Sequence, residues 1–383
     1  MPKHLDTLSV HAGYTPDTTG AVMPPIYTSS TFAQPAPGEH TGYEYARSGN
    51  PTRHAFERAL AELEGGVQGF AFASGLAASS TVLELLDAGS EIVTVDDLYG
   101  GAWRLFERVR NRTMGLKTRY VAPDDIAALN DAVTPNTKLI WVEIPTNPLL
   151  KVPDLTAIVA AAKRVGAITV VDSTFATPYL LRPIEFGVDI VLHSVTKYLN
   201  GHSDVIGGAA IVRTPELAEK LGFLQNSVGA VLDPFSSFLA LRGLRTLPLR
   251  VGRHSENALA VAKWLTTQPG AQDVIYPGLE QHPQHALARQ QFKNGYGGIV
   301  SVRLKTDDAG VRRFLAALKL FTLAESLGGV ESLVNQPFAM THASLPLELR
   351  RARGIEENLL RFSVGVEHVD DLIADLARGF AAV

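Results

Sequence analysis

From about Asn50 to Lys197 the chain alternates short apolar, β-branched runs with helix-length segments, and this alternation restricts its fold more than any other feature. Gly69-Phe-Ala-Phe-Ala-Ser74, Glu91-Ile-Val-Thr-Val95, Leu139-Ile-Trp-Val-Glu143, Thr169-Val-Val-Asp-Ser-Thr174 and the run Val188 to Lys197 read as strands. Between them, Thr52 to Leu63 carries Phe56, Leu60 and Leu63 at helical spacing and stops at Gly65-Gly66. Leu76 to Leu86 reads as helical, and another helix opens at Pro153-Asp154 and closes at Gly166. Strands separated by helices imply an α/β fold: a mostly parallel central sheet with helices on both faces. Such sheets bind ligands beyond the carboxyl ends of their strands. The site candidates are therefore the residues just after the strands: Ser74-Gly75, Tyr99, Asn147, Asp172 and Ser194 to Lys197.

At 383 residues the chain exceeds the size at which one core stops growing, so two domains are expected. Residues 1–49 read as an arm. Pro16, Pro24, Pro25, Pro35 and Pro37 leave little room for regular structure, while Tyr27, Phe32, Tyr43 and Tyr45 fit a segment tied to a partner surface. Residues 50–245 form the large domain. Residues 246–383 form a smaller C-terminal α+β domain, with strands at Gly298 to Leu304 and Leu359 to Val364 and helices at Ala309 to Leu318 and Val369 to Phe380. A helical stretch from Pro234 to Leu265, interrupted at Pro248, joins the two.

Lysine and arginine number 35 against 39 acids, a net charge of −4 with no long basic run, which argues against a nucleic-acid partner. No segment is apolar for long enough to span a bilayer, so no membrane partner is expected. Cysteine is absent, which excludes disulfides, a thiol nucleophile and thiolate-held metals. With no apolar signal-like core near Met1, the expected location is cytoplasmic. His282-Pro-Gln-His285 has a metal-like spacing but no third ligand nearby, so no metal is expected.

Lys197 follows a buried strand beside the hydroxyls of Ser194 and Thr196, a setting suited to Schiff-base formation, since desolvation disfavours the charged amine. Asp172, from a neighbouring strand end, is placed to keep a pyridinium nitrogen protonated, the pairing expected around pyridoxal phosphate. Ser74-Gly-Leu-Ala-Ala78 joins a strand to a helix, and amides there suit an anion. Tyr99 could stack on a ring and move protons, and Arg361 interrupts an apolar strand with a carboxylate-binding fork. Singly, each also has a plain reading: a surface lysine, a capping aspartate, a tight turn, a packed tyrosine, a salt-bridged arginine. Their combination at successive strand ends is what favours a pyridoxal site.

The motifs also resemble a known family. Tyr43-Glu-Tyr-Ala-Arg-Ser-Gly-Asn-Pro-Thr52, Ala73-Ser-Gly-Leu-Ala-Ala78, Asp96-Asp-Leu-Tyr-Gly-Gly101, Pro145-Thr-Asn-Pro148, Val171-Asp-Ser-Thr-Phe-Ala-Thr-Pro178, Ser194-Val-Thr-Lys-Tyr-Leu-Asn-Gly-His202 and Ala324-Glu-Ser-Leu-Gly-Gly-Val-Glu-Ser332 run in order along it. The chain resembles the cystathionine γ-lyase and γ-synthase group of Cys/Met-metabolism pyridoxal-phosphate enzymes, nearest its bacterial γ-lyases, from about Leu8 to the end. The resemblance implies a fold-type I, aspartate-aminotransferase-like architecture and pyridoxal 5'-phosphate as cofactor, held on Lys197. It implies Asp172 at the ring nitrogen, Tyr99 stacked on the ring, and Gly75, Leu76, Ser194 and Thr196 at the phosphate. Tyr45 and Arg47 would reach the phosphate from a neighbouring subunit. Asn147, Ser326 and Arg361 would take the α-carboxylate of an amino-acid substrate, and Glu325 is hypothesised to meet the distal ammonium of cystathionine. A homotetramer, a dimer of dimers with shared sites, is the implied assembly.

By the same resemblance the activity is α,γ-elimination of L-cystathionine to L-cysteine, 2-oxobutyrate and ammonia, with Lys197 and Tyr99 as catalytic residues. Cystathionine γ-synthase and β-lyase chemistry are the alternatives. Methionine γ-lyase is less favoured, because members with that activity carry cysteine where this chain has Gly101. A binding or regulatory protein that keeps the fold without turnover is disfavoured by Lys197, Asp172, Tyr99 and Arg361 occurring together.

Overall fold

Local signals set most of the helix boundaries. In the computed structural model, which describes residues 3–383, the Asn50 side chain accepts from the amides of Thr52 and Arg53 at 2.9 and 3.1 Å. That cap starts the helix Pro51–Glu64, with proline at its first position and Gly65 in the left-handed region at its end. Asp154 caps the helix Leu155–Val165 in the same way, and Gly166 closes it. Pro248 sits in the first turn of the helix Leu247–Thr266 and explains the break after Pro234–Leu244.

The strands are β1 (Gln68–Phe72), β2 (Glu91–Val95), β3 (Lys117–Val121), β4 (Thr137–Glu143), β5 (Ile168–Asp172), β6 (Ile190–Ser194) and β7 (Gly208–Val212). They form one seven-stranded sheet in the order β1-β7-β6-β5-β4-β2-β3. Only β7 runs against its neighbours. The carboxyl ends of the other strands therefore share one edge. The inner strands are buried almost throughout, as expected of a sheet covered on both faces. A second sheet, order β10-β11-β12-β9-β8, combines β8 (Ala271–Ile275), β9 (Ile299–Leu304), β10 (Thr322–Leu323), β11 (Leu333–Asn335) and β12 (Leu359–Ser363). Its only parallel pair is β10 with β11. The architecture is α/β with a mostly parallel central sheet and a smaller second sheet, in line with the expected class.

Each sheet has its own apolar core. The helix Leu247–Thr266 serves both, placing Leu247 and Val251 in the first core and Ala258, Val261 and Leu265 in the second. The division at residues 245–246 falls in the short break before this helix, and we propose it as the domain boundary. The arm differs from expectation in one respect: Leu5–His11 is an α-helix packed on the helices Pro51–Glu64 and Leu247–Thr266. The prolines that argued against regular structure all lie after it. Farther along, the arm is pinned by Thr52, whose hydroxyl donates to Pro25 O at 2.8 Å and accepts from the Tyr27 amide at 2.9 Å. The α-helix Gly100–Arg104 runs on into a π-helical segment, Leu105–Arg110.

One glycine joins the sheet to the site. A Cβ on Gly208 in β7 would lie 2.1 Å from Ser74 O and 2.8 Å from the Gly75 nitrogen. The backbone turn after β1 thus rests directly on β7. Gly208→Ala is expected to destabilise the chain by ~2 kcal/mol through this overpacking and to weaken cofactor binding, as read by thermal unfolding and cofactor titration.

Candidate active site

Five strands of the large sheet deliver their following residues to one cavity. After β1, Ser74 caps the helix Gly75–Leu83, its hydroxyl accepting from the Ala77 amide at 3.1 Å. After β2 comes Tyr99; β4 ends at Glu143, with Asn147 following; β5 ends at Asp172; β6 ends at Ser194 and leads to Thr196 and Lys197. The second sheet adds Arg361 from β12 and the loop residues Glu325 and Ser326. Together with Leu76 these line a cavity of about 270 Å³.

The Lys197 Nζ donates to Ser326 Oγ at 2.6 Å. Burial, helped by the Arg361 charge and opposed by Glu325, pulls the amine down to about 8. A neutral, nucleophilic fraction therefore exists near physiological pH. Ser326 holds a left-handed backbone, φ 88°. Its carbonyl accepts from Arg361 Nη2 at 3.1 Å, while Arg361 Nη1 donates to Asn147 Oδ1 at 2.7 Å. Arg361 is only 2% exposed, and among the described residues no carboxylate lies within salt-bridge reach of it. Burial pulls the guanidinium down to about 10. A buried cation held by neutral acceptors is a ready site for an external carboxylate.

Asp172 accepts from the Thr174 amide at 3.0 Å and the Thr174 hydroxyl at 2.5 Å, both on Oδ1. Its other oxygen makes no hydrogen bond to the described residues and faces the cavity. Burial raises the carboxyl, and the two Thr174 contacts pull the other way. Ser194 closes on the Ser74 turn, so that a Cβ on Gly75 would stand 3.1 Å from the Ser194 Cβ. The Thr196 hydroxyl is shared with Gly207, accepting from its amide at 3.1 Å. Tyr99 is 40% exposed, and its ring fills the space over Gly101, where an added Cβ would come within 2.3 Å of it. Any side chain at 101 would displace that ring. Glu325 stands exposed at the cavity mouth, with no ion-pair partner among the described residues.

All the expected site residues meet in this cavity except Tyr45 and Arg47. Tyr45 is exposed on the arm, and Arg47 donates instead to the Asn226 side chain at 2.7 Å. In and beside the cavity are further residues that are not among the expected site candidates. Glu143 accepts from the Tyr99 amide at 2.8 Å. Asp97, pushed up to about 6 by burial, accepts from the Thr146 hydroxyl and the Leu149 amide, bracing the loop that carries Asn147. Thr174 fixes Asp172, a contact readable in the Asp-Ser-Thr spacing. His282 and His285 make local contacts with Gln284 and Pro277, and among the described residues no group of His, Asp or Glu is arranged to hold a metal ion.

A primary amine, an acid with one free oxygen and a helix N-terminus around one cavity are the groups that pyridoxal phosphate requires. The family model for Cys/Met metabolism PLP-dependent enzymes matches residues 6–381. The chain belongs to that family. Its cofactor is pyridoxal 5'-phosphate, and a small-molecule amino-acid substrate is consistent with that family. The chain is similar to a cystathionine β-lyase of Coxiella burnetii, 54% identical over 97% of each chain. It is also similar to a cystathionine γ-lyase of Bacillus subtilis, 48% identical over 97% of this chain and 98% of the other. In three dimensions it is similar to cystathionine γ-synthase of Xanthomonas oryzae pv. oryzae in complex with aminoacrylate and cysteine. That match has a TM-score of 0.97 and 46% identity, and covers 100% of this chain and 99% of the other. Relatives within the family thus carry lyase and synthase names, and the fold is that of the family's solved structures. No helix among the described residues is long and apolar enough to cross a membrane.

Proposed function

We propose that this family member is a cystathionine γ-lyase, which converts L-cystathionine and water to L-cysteine, 2-oxobutyrate and ammonia. The observation that carries the reading is the charge pattern along one cavity: buried, carboxylate-free Arg361 at its inner end, Lys197 in the middle and unpaired Glu325 at the mouth. Cystathionine has an amino-acid group at each end. One carboxylate suits Arg361 with Asn147 and Ser326, and the distal ammonium suits Glu325.

The cofactor would be held by Lys197 through its amine, by Asp172 at the ring nitrogen, and by the Gly75 and Leu76 amides with Ser194 and Thr196 at the phosphate. When bound, it supplies an electron sink for charge developing at the substrate Cα. Lys197, once its amine is free, takes the Cα proton; its lowered pKa suits it to act as a base near neutrality. For the γ-elimination a second proton passes from Cβ to Lys197 or Tyr99, and the sulfur departs from Cγ with its electron pair and takes up a proton from the same pair of carriers. Arg361 holds the substrate so that the breaking bonds stay over Lys197. The Tyr99 ring would stack on the cofactor ring.

The β-lyase reading is favoured by the 54% identity to the Coxiella burnetii protein, and it needs only the first proton removal. The product decides between them. Incubation of the purified protein with cystathionine should yield 2-oxobutyrate; pyruvate would make it a β-lyase, and cystathionine formed only from an O-acylhomoserine and cysteine would make it a synthase.

We place Tyr45 and Arg47 in the cavity of a neighbouring subunit, within a cytoplasmic homotetramer. What supports this is their separation from the chain's own cavity, together with the apolar side chains left exposed at Val22, Ile206, Phe223 and Phe235.

A further inference from the structure

Two carboxylates end adjacent parallel strands at this site. Glu143 of β4 and Asp172 of β5 are direct register partners, so their side chains leave the sheet on the same face. Asp172 has an evident task at the cofactor nitrogen; Glu143 has none in the mechanism. Yet Glu143 is only 5% exposed and lines the cavity. Its Oε2 accepts from the Tyr99 backbone amide at 2.8 Å, a contact between β4 and the loop after β2. Its other oxygen has no hydrogen-bond partner among the described residues. Among the described residues no lysine or arginine pairs with it.

We propose that Glu143 is a positioning residue that works as a neutral carboxyl, fixing the Tyr99 backbone through Oε2 while leaving the negative charge at the strand ends to Asp172. The proposal rests on the assignment of Tyr99 to the cofactor ring and of Asp172 to its nitrogen. Two ionised carboxylates on neighbouring strand ends repel in a medium of low polarity, and one gives way by keeping its proton. The groups facing Glu143 push in this direction. Burial and then Asp172 raise it, the Tyr99 amide opposes, Asp97 raises it again and Arg361 opposes, leaving it well above the carboxylate range. Asp172 is relieved by the hydroxyl and amide of Thr174 and by a protonated ring nitrogen, so the proton resides on Glu143. A neutral acid still accepts through its carbonyl oxygen, and the Tyr99 amide asks for nothing more.

The test uses the cofactor-loaded enzyme and the variants Glu143→Gln and Glu143→Ala. Glutamine keeps an acceptor oxygen and lacks charge, so Glu143→Gln should retain cofactor affinity and kcat within about threefold. Glu143→Ala frees the Tyr99 loop and should weaken cofactor binding and lower kcat by about tenfold, with KM unchanged because Arg361 is untouched. In infrared difference spectra at neutral pH, the Glu143→Gln substitution should remove a protonated-carboxyl C=O band. Loss of an ionised-carboxylate band instead, equal damage from glutamine and alanine, or an alanine variant with wild-type behaviour would each overturn the proposal. If Glu143→Ala fails to fold, the infrared and glutamine results still decide. Cofactor affinity and the infrared band do not depend on which substrate is cleaved, so failure of the cystathionine reading would leave them intact.

Discussion

Lys197→Ala should give a chain that folds, stays colourless after simple dialysis against pyridoxal phosphate, and loses turnover by at least ~10³-fold. The effect is large because one side chain serves twice, as the anchor of the cofactor and as the base at the substrate. Thermal stability should change little. The amine is buried at a cost in desolvation, and its one close partner, Ser326 Oγ, remains part-exposed to the cavity. The wild-type chain stripped of cofactor offers a matching pH test. A lysine lowered to about 8 is protonated below that value and a free base above it. The rate of cofactor uptake should climb with pH and level off above about 8. Uptake that levels off only near the ordinary lysine range would mean that the cavity does not tune this amine.

Arg361→Lys should also cost heavily in catalysis, though less than Lys197→Ala, and almost nothing in folding. Substrate carboxylate recognition here depends on a planar fork already pointed by Asn147 Oδ1 at 2.7 Å and Ser326 O at 3.1 Å. A lysine is a single point charge and cannot reproduce it. Loss of two charge-assisted hydrogen bonds, roughly 3 kcal/mol together, corresponds to a fall in kcat/KM of about 10²-fold. KM should rise, and cofactor absorbance should be unchanged. Arg361→Ala should behave alike or worse with substrate. Because the buried guanidinium has no carboxylate partner among the described residues, removing it should leave Tm close to that of the wild type. A large fall in Tm would show that Arg361 holds the fold rather than the substrate.

The residues of this site differ in how legible they were before folding. Lys197, Asp172 and Ser194 stand where apolar strands give way to polar groups, so the rule that ligands sit at strand ends points to them directly. Glu143 obeys the same rule, but its sequence neighbours Pro145 and Asn147 are the more conspicuous residues. Only the pairing of β4 with β5 reveals that it faces Asp172. β7 carries no local strand signal, because Gly-Ala-Ala-Ile-Val has no alternation and is buried along its whole length. Its antiparallel direction between β1 and β6 is a tertiary fact with no local signature. β3 is obscure for the opposite reason, since an edge strand written Lys-Thr-Arg-Tyr-Val looks like surface. The helix Leu5–His11 lies in a segment whose later prolines dominated its reading, and it owes its place to packing on two longer helices. Caps and stops at Asn50, Gly65, Asp154 and Gly166 were legible because each is a purely local hydrogen-bond problem.

The most direct measurement is borohydride reduction of the purified, cofactor-loaded protein, followed by digestion and mass analysis of the peptides. A chain that works as described should be yellow, lose its colour on reduction, and carry the reduced pyridoxyl group on the peptide that contains Lys197. A label on another lysine, or a colourless chain that takes up no pyridoxal phosphate, would contradict the assignment of this cavity.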